Sequence, residues 1–502
     1  MKRLLTILFL SLFCVMSYAQ RKGDYYDMAY KLAGKHQIDS SFIYLDSLAT
    51  KYADKNLYLY YNLTVNPRFR QMHQDKRWDE LMNKILKAKH EVEDTLTLQC
   101  PQKKDVEKTI TAEAKYYKMC VDINVKEKNL KVDGTVTVNF NKKAYIDFAL
   151  WKYSTVKDIK VNGKDANIDF TPESKFQWMP QAGRLRVNKD NSDKATIHFT
   201  YTAHIDSVEA WMAACNTNLV MLSMYMPWYP HNLDSEHFTG DIIFKIDDNF
   251  KVSGSGLMSK RDKQWVMHQP WEGFDFDFIA APNLKSRVVK SQGKSIEIDY
   301  LSFEEADVDS LANACQEIFN YYSKLYQVVP ETKELKVVLL PDLGGAISRR
   351  NFIVAEAYIF NEDLFKLMAH EIGHFWWQYA PADNWLDWMN ESFAEYSSLR
   401  AIKHHFGDAL FKDYVKAYRE SVRKVCPIME LDRNAPDAHT VFYNKGAIVL
   451  YDLQKKVGDE KFFKFMHTLA KSHVGTHVQL MNIAKNTMAS KWASWIEMRL
   501  QQ

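Results

Sequence analysis

The spacing of apolar residues changes period twice along this chain, and each change marks a different architecture. Up to about residue 98 the period is helical: Phe42, Leu45, Leu48 and Tyr52 recur at three- and four-residue steps, as do Trp78, Leu81, Met82, Ile85 and Leu86. Between these runs an aromatic stretch, Tyr58 to Tyr61, precedes the breaker Asn66-Pro67. A small helical accessory domain over residues 20–105 is expected, built from one or two helical hairpins and able to receive a protein partner. From about residue 110 the period falls to two. Met119, Val121, Ile123 and Val125 alternate with polar neighbours, as do Val136, Val138 and Phe140, then Ile197, Phe199 and Tyr201, then Ile296, Ile298 and Tyr300. Turn signals at Asp133-Gly134 and Asn162-Gly163 separate candidate strands. This pattern predicts a β-sandwich over residues 106–300, with Trp228, Tyr229 and Trp271 as core aromatics. The second switch comes near residue 303. Val308, Leu311, Ala312, Cys315, Ile318, Phe319, Tyr322 and Leu325 trace one helical face. A buried strand, Lys336 to Leu340, and a loop, Pro341 to Gly345, follow, and helical patterning then runs to the end. Residues 301–502 form the third expected domain. The fold class is multidomain α+β.

Composition narrows the function classes. A chain of 502 residues is too long for one core. Hydrophobic residues at 46% and charged residues at 26% place it among folded proteins. A net charge of +3 with no basic tract argues against nucleic acid or an anionic membrane as the main partner. At the N-terminus, Lys2 and Arg3 precede the apolar run Leu4 to Met16 and the small residues of Ser17-Tyr18-Ala19. Residues 1–19 read as a secretory signal cut before Gln20, too short to span a bilayer. Phe13 before Cys14 disfavours lipidation. No later segment reaches transmembrane length, so the mature chain is expected to be exported, periplasmic or extracellular. Cys100, Cys120, Cys215, Cys315 and Cys426 lie far apart. They make neither a disulfide framework nor a CxxC metal site; buried thiols with at most one or two bridges are expected.

Chemistry concentrates in the last third. His370-Glu371-Ile372-Gly373-His374 is HExxH, in which the two histidines sit one helical turn apart and present both imidazoles to one ion. Zinc accepts neutral imidazole and, with three protein ligands, keeps a position for water. Glu371 stands at the edge of that face, where it can act on water as general base. The third ligand comes from the next helix: after the short connection Ala380 to Leu386, the run Trp388-Met389-Asn390-Glu391-Ser392-Phe393-Ala394-Glu395 carries Glu391 amid apolar residues. Glu395, one turn on, is a candidate hydrogen-bond acceptor for a ligand histidine. His404 and His405 have no companions at metal spacing. No Gly-rich phosphate loop or GxSxG elbow is present.

These motifs resemble the gluzincin peptidases of the aminopeptidase N and leukotriene-A hydrolase family. The HEIGH stretch with Trp376, the segment Trp388 to Ala394 and Tyr443-Asn444-Lys445-Gly446 carry the resemblance. It implies one zinc ion held by His370, His374 and Glu391, Glu371 as base and proton shuttle, and Tyr443 as hydrogen-bond donor to the oxyanion. It covers roughly residues 110–502 and implies a β-sandwich followed by a thermolysin-like zinc peptidase catalytic domain. The spacing from His374 to Glu391 is shorter than the family's by about two residues, which implies a trimmed connection.

One family feature is missing. Family aminopeptidases bind the substrate's free amine with the glutamate of a Gly-x-Met-Glu-Asn segment. The corresponding stretch here is Gly345-Ala346-Ile347-Ser348-Arg349-Arg350-Asn351, with Ser348 in the glutamate's place. A hydroxyl offers no charge to an ammonium, and two guanidiniums oppose one. Another carboxylate such as Glu356 takes over the amine, or peptides are cut without regard to their N-terminus, or Arg349 and Arg350 favour acidic substrates. The expected function is zinc-dependent hydrolysis of peptide bonds, aminopeptidase-like. The alternatives are a noncatalytic peptide-binding module retaining zinc and a peptidase not restricted to free N-termini.

Overall fold

The computed structural model describes residues 25–103, 111–173, 179, 181–205, 211–232, 237–291, 294–330 and 334–502. The expected signal segment, residues 1–19, lies outside them. The chain divides into two compact units. One comprises residues 106–316 and 331–360; the other comprises residues up to 105 together with 317–330 and 361–502.

In the first unit, strict alternation produces an eight-stranded sheet whose central pair is Glu113–Asn124 and Asn129–Asn139. Lys194–His204 flanks this pair on one side, and Phe238–Lys245 lies on the other, parallel to Glu113–Asn124. Val121, Ile123, Val136, Val138, Ile197, Phe199 and Tyr201 are all buried, as their period-two spacing requires. Two smaller sheets supply the opposing aromatics. Trp151 and Phe278 join the core shared with Trp228 and Tyr229, and Phe244 stacks on Phe278 at 3.9 Å. The alternation at Ile296, Ile298 and Tyr300 lies outside this sandwich. It belongs to a five-stranded mixed sheet ordered Lys285–Ser291, Lys294–Tyr300, Glu334–Leu340, Phe352–Glu356, Ala346–Arg349. Local periodicity reports that a strand forms, and long-range pairing decides which sheet takes it. Val338, Leu340, Phe352 and Val354 pack this sheet against Met221 and Ile279, making a second core in the same unit.

A charged group is built into the first unit's interior. Arg349 Nη2 lies 3.0 Å from Asp275 Oδ2, and its Nε lies 3.1 Å from Asp277 Oδ2. Asp275 also accepts from the Met224 amide and from the Tyr229 hydroxyl. Burial pushes the Asp277 carboxyl up against the pull of Arg349. Two carboxylates and one guanidinium out of water hold together only as a set.

The second unit is helical. It begins with α1 (25–34), α2 (Ile38–Tyr52), α3 (Leu59–Val65) and α4 (Lys76–Thr95). Phe42, Leu45, Leu48, Trp78, Leu81, Met82 and Ile85 form one core, as their spacing predicts. From residue 317 the unit takes in the end of α5 (Val308–Tyr326), and then α6 (Glu362–Gly373), α7 (Trp388–Phe406) and α8 (Asp408–Ser421). A three-residue helix, α9 (Ala438–Thr440), leads through a π-helical stretch, Val441–Lys445, into α10 (Gly446–Val457). Three further helices, Asp459–Ser472, His477–Met488 and Ser490–Gln501, complete it. Among the described residues, no helix is long and apolar enough to cross a membrane.

The N-terminal helices are tied to this unit along their length. Arg70 Nη2 is 2.5 Å from Glu362 Oε1 and Arg70 Nη1 is 3.2 Å from Asp413 Oδ2. Buried Lys89 pairs with Glu93 at 2.6 Å and donates to the Glu420 carbonyl, and Arg423 pairs with Glu93 and Asp94. A disulfide joins Cys100 to Cys426, within the one or two bridges that the cysteine count allows. Cys426→Ser should lower the stability of the helical unit by about 2–4 kcal/mol. Urea denaturation of variant and wild type, with and without reductant, reads this directly; equal midpoints throughout count against the bridge. Arg349→Ala should cost about 3–5 kcal/mol by stranding two buried carboxylates. An unchanged melting temperature would exclude that lock.

Candidate metal centre

Helix α6 starts at a built cap. The Asn361 side chain accepts from the Leu364 amide, and Glu362 and Asp363 occupy the first turn, where the helix dipole favours negative charge. Leu364, Phe365, Met368, Ala369 and Ile372 bury the helix, and the Tyr322 hydroxyl donates to the Ala369 carbonyl at 2.9 Å. The helix ends at Gly373, with His374 still in right-handed helical geometry at its C-cap. Helix α7 crosses it closely: a Cβ on Gly373 would lie 3.1 Å from the Ala394 Cα. Asn390 sets the register. Its Nδ2 donates to the Ala380 carbonyl and to Asp387 Oδ1, and its Oδ1 accepts from the Ala380 amide. The short connection after HExxH is thus stapled to the first turn of α7, and the next side chain, Glu391, is aimed at the histidines.

The result is a triplet: ligand atoms of His370, His374 and Glu391 all lie within 4.8 Å of one another. Glu391 Oε2 is 3.3 Å from His370 Nε2 and 3.6 Å from His374 Nε2. Both imidazoles are held from behind. His370 Nδ1 donates to Glu395 Oε2 at 2.7 Å, and His374 Nδ1 donates to the Trp377 carbonyl at 3.0 Å, which turns both Nε2 lone pairs towards the centre. Glu391 Oε2 is buried with no hydrogen-bond partner. Two nitrogen donors and one orphaned carboxylate oxygen converge on one point, and that donor set fits zinc. Despite burial, the His374 and His370 charges hold the Glu391 carboxyl down to about 2, so it stands as a carboxylate that draws positive charge.

Glu371 is buried beside His370 and outside the triplet. Tyr443, singled out only through family resemblance, comes to the same place: its ring stacks on His370 at 5.3 Å and lies tilted against His439 at 4.0 Å. Burial and the Glu391 charge push its hydroxyl up, so it stays a donor. Helix α10 approaches α7 where Gly446 leaves room, since a Cβ there would stand 1.7 Å from Ser392 Oγ. That hydroxyl donates to the Phe442 carbonyl, fixing the π-helical stretch that carries Tyr443.

Several residues around the centre escaped the sequence reading. Glu395 was foreseen as an acceptor for a ligand histidine, which proves to be His370, but its other oxygen is shared by Lys366, at 2.6 Å, and by the Tyr418 hydroxyl. Arg433 Nε binds Asp387 Oδ2 at 2.6 Å, and burial lowers the His439 imidazole. None of the four, Lys366, Tyr418, Arg433 and His439, belongs to a local motif.

The stretch expected to contact substrate lies in the other unit. Ser348 pairs with Ile353 on the strand Ala346–Arg349, and Arg350 is exposed. Arg349, expected to face substrate or solvent, instead turns to pair with the buried carboxylates of Asp275 and Asp277. Glu356 Oε2 accepts from the Gly344 amide at 2.6 Å, closing its own hairpin. His404 and His405 bind Glu317 at the surface.

Comparison with known proteins agrees with this geometry. Residues 311–497 match the Peptidase family M1 domain. Probable aminopeptidase 1 of Saccharolobus solfataricus is 24% identical over 218 residues, 37% of this chain and 27% of that protein. Endoplasmic reticulum aminopeptidase 2 of Homo sapiens is 24% identical over 175 residues, 30% of this chain and 18% of that protein. These alignments span about a quarter or less of the curated relatives' length. Among solved structures, an M1 zinc metallopeptidase from Deinococcus radiodurans superposes with a TM-score of 0.61 at 16% identity, covering 78% of this chain and 95% of that one. Native yeast LTA4 hydrolase gives 0.61 at 14% identity, covering 76% and 66%. These likenesses show a shared fold.

Gly446→Ala should destabilise the helical unit by about 1–3 kcal/mol through overpacking against Ser392. It should also displace Tyr443, so a loss of melting temperature and a shifted Tyr443 ring resonance are expected together. A variant with wild-type melting would show that Ser392 yields freely.

Proposed function

We propose that this chain, whose residues 311–497 match the Peptidase family M1 domain, hydrolyses peptide bonds with one zinc ion held by His370, His374 and Glu391. One observation carries the reading: three donor atoms converge, one of them a buried carboxylate oxygen with no hydrogen donor. A purely structural site has no use for the adjacent Glu371 or for Tyr443.

When bound, the ion supplies a Lewis acid for water and for the scissile carbonyl. Glu371 takes a proton from the attacking water and hands it to the leaving amine. Tyr443, kept protonated by burial and by Glu391, donates a hydrogen bond to the oxyanion. Glu395 and the Trp377 carbonyl hold His370 and His374 in the Nδ1–H tautomer.

The relatives' names support an aminopeptidase-like substrate class. Ser348 supplies no charge for an α-ammonium, and Arg349 is matched by its own carboxylates. We therefore read the enzyme as one that does not depend on the usual glutamate and is not restricted to free N-termini. We also take the chain to be exported: the leader at residues 1–19 and the Cys100–Cys426 bridge favour an oxidising compartment.

Glu371→Gln should retain one zinc per chain and lower kcat about 10³-fold, while Tyr443→Phe should lower it about 10²- to 10³-fold. Metal analysis alongside turnover of free and N-acetylated peptides, with and without chelator, checks both. Chelator-sensitive cleavage of both peptide sets supports relaxed N-terminal reading. Cleavage of free amines alone would restore the amine requirement, and a fully active Glu371→Gln enzyme would sink the mechanism.

A further inference from the structure

Helix α3 presents two tyrosines, Tyr58 at its N-cap and Tyr61 three residues on, and both reach groups that lead to the metal centre. The Tyr61 ring stacks on Tyr418 of α8, with centroids 5.8 Å apart and planes at 29°. The Tyr418 hydroxyl donates to Glu395. Glu395 Oε1 also accepts from Lys366 at 2.6 Å, and Oε2 accepts from His370 Nδ1 at 2.7 Å. The Tyr58 hydroxyl meets Thr440 Oγ1 at 2.7 Å, next to His439, whose ring lies against Tyr443.

We propose that the N-terminal helical module is a working part of the metal centre, with Tyr61 and Tyr418 as positioning residues that fix Glu395 and, through it, the orientation and tautomer of His370. This rests on the preceding reading of His370 as a zinc ligand. The physical case turns on what else could hold Glu395. Lys366 is a charge on a flexible four-carbon stem and sets no direction. Tyr418 is a rigid ring with a single hydroxyl, so the direction of its bond is set by whatever holds the ring. Tyr414 meets that ring edge-on, with centroids 6.3 Å apart, and Tyr61 covers a face. Tyr61 is not needed for attachment. Arg70, Lys89, Arg423 and the Cys100–Cys426 bridge already fasten the module elsewhere. The stack therefore has an effect on the metal separable from docking. Groups behind a ligand histidine typically change metal affinity 10- to 100-fold when removed.

The test uses the full zinc-loaded chain and reads zinc release against a competing chelator, with melting temperature measured in parallel. Tyr418→Phe and Tyr61→Leu should surrender zinc at chelator concentrations about 10-fold lower than wild type, and Tyr61→Phe should restore wild-type retention. Arg423→Gln, which weakens docking away from this path, should melt earlier yet hold zinc normally. Wild-type retention by Tyr61→Leu overturns the proposal, as does zinc loss by Arg423→Gln equal to that of Tyr61→Leu. If Tyr61→Leu does not fold, Tyr418→Phe decides alone, and unchanged retention overturns the proposal. Direct metal analysis of the wild type comes first; a chain that takes up no zinc fails the underlying reading and this inference with it.

Discussion

Two helices can deliver three ligands to one ion only if their axes come close, and here closeness depends on missing atoms. Gly373 faces the Ala394 backbone on α7, and Gly446 faces Ser392 on the opposite side of the same helix. Helix α7 is gripped between two neighbours that lack a Cβ at the crossing. The Asn390 staple then fixes its rotation, because three hydrogen bonds from one amide leave little freedom for the residue that follows. Packing, register and aim are thus settled before any electrostatics enter.

Electrostatics then select what the aim is for. Around the histidines two buried carboxylates are matched by cations: Glu395 by Lys366 and Asp387 by Arg433. Glu391 keeps an oxygen with no donor, directed between two nitrogen lone pairs. A buried acceptor in that condition is costly in a polypeptide and is relieved by a cation. The outer pairs confine the demand for positive charge to a single point.

The legible parts of this molecule were the ones written locally. Helical spacing located the core residues of α2 and α4, alternation located the strands, and HExxH followed by Asn-Glu-Ser-Phe-Ala located the three side chains that converge. Glu395 could be suspected because it stands one helical turn from Glu391. Lys366, Tyr418, Arg433 and His439 could not, since each meets its partner across helices and nothing in its own neighbourhood announces the pairing. The strand Lys294–Tyr300 shows the same limit, because its alternation is sound but its sheet is chosen by residues 334–356. Arg349 is the sharpest case: beside Arg350 it reads as a solvated charge pair, yet two aspartates some seventy positions earlier draw it inside.

The cross-link between Cys100 and Cys426 spans 326 positions of sequence. The five-stranded sheet, the sandwich, HExxH and Glu391 all fall within that covalent ring, and Tyr443 lies just beyond it. A single cut anywhere between the two cysteines would open the ring without parting the fragments. A cut in a surface loop between the two cysteines would leave the leading helices, HExxH, Glu391 and Tyr443 joined as one particle. Such damage would show as two bands only after reduction.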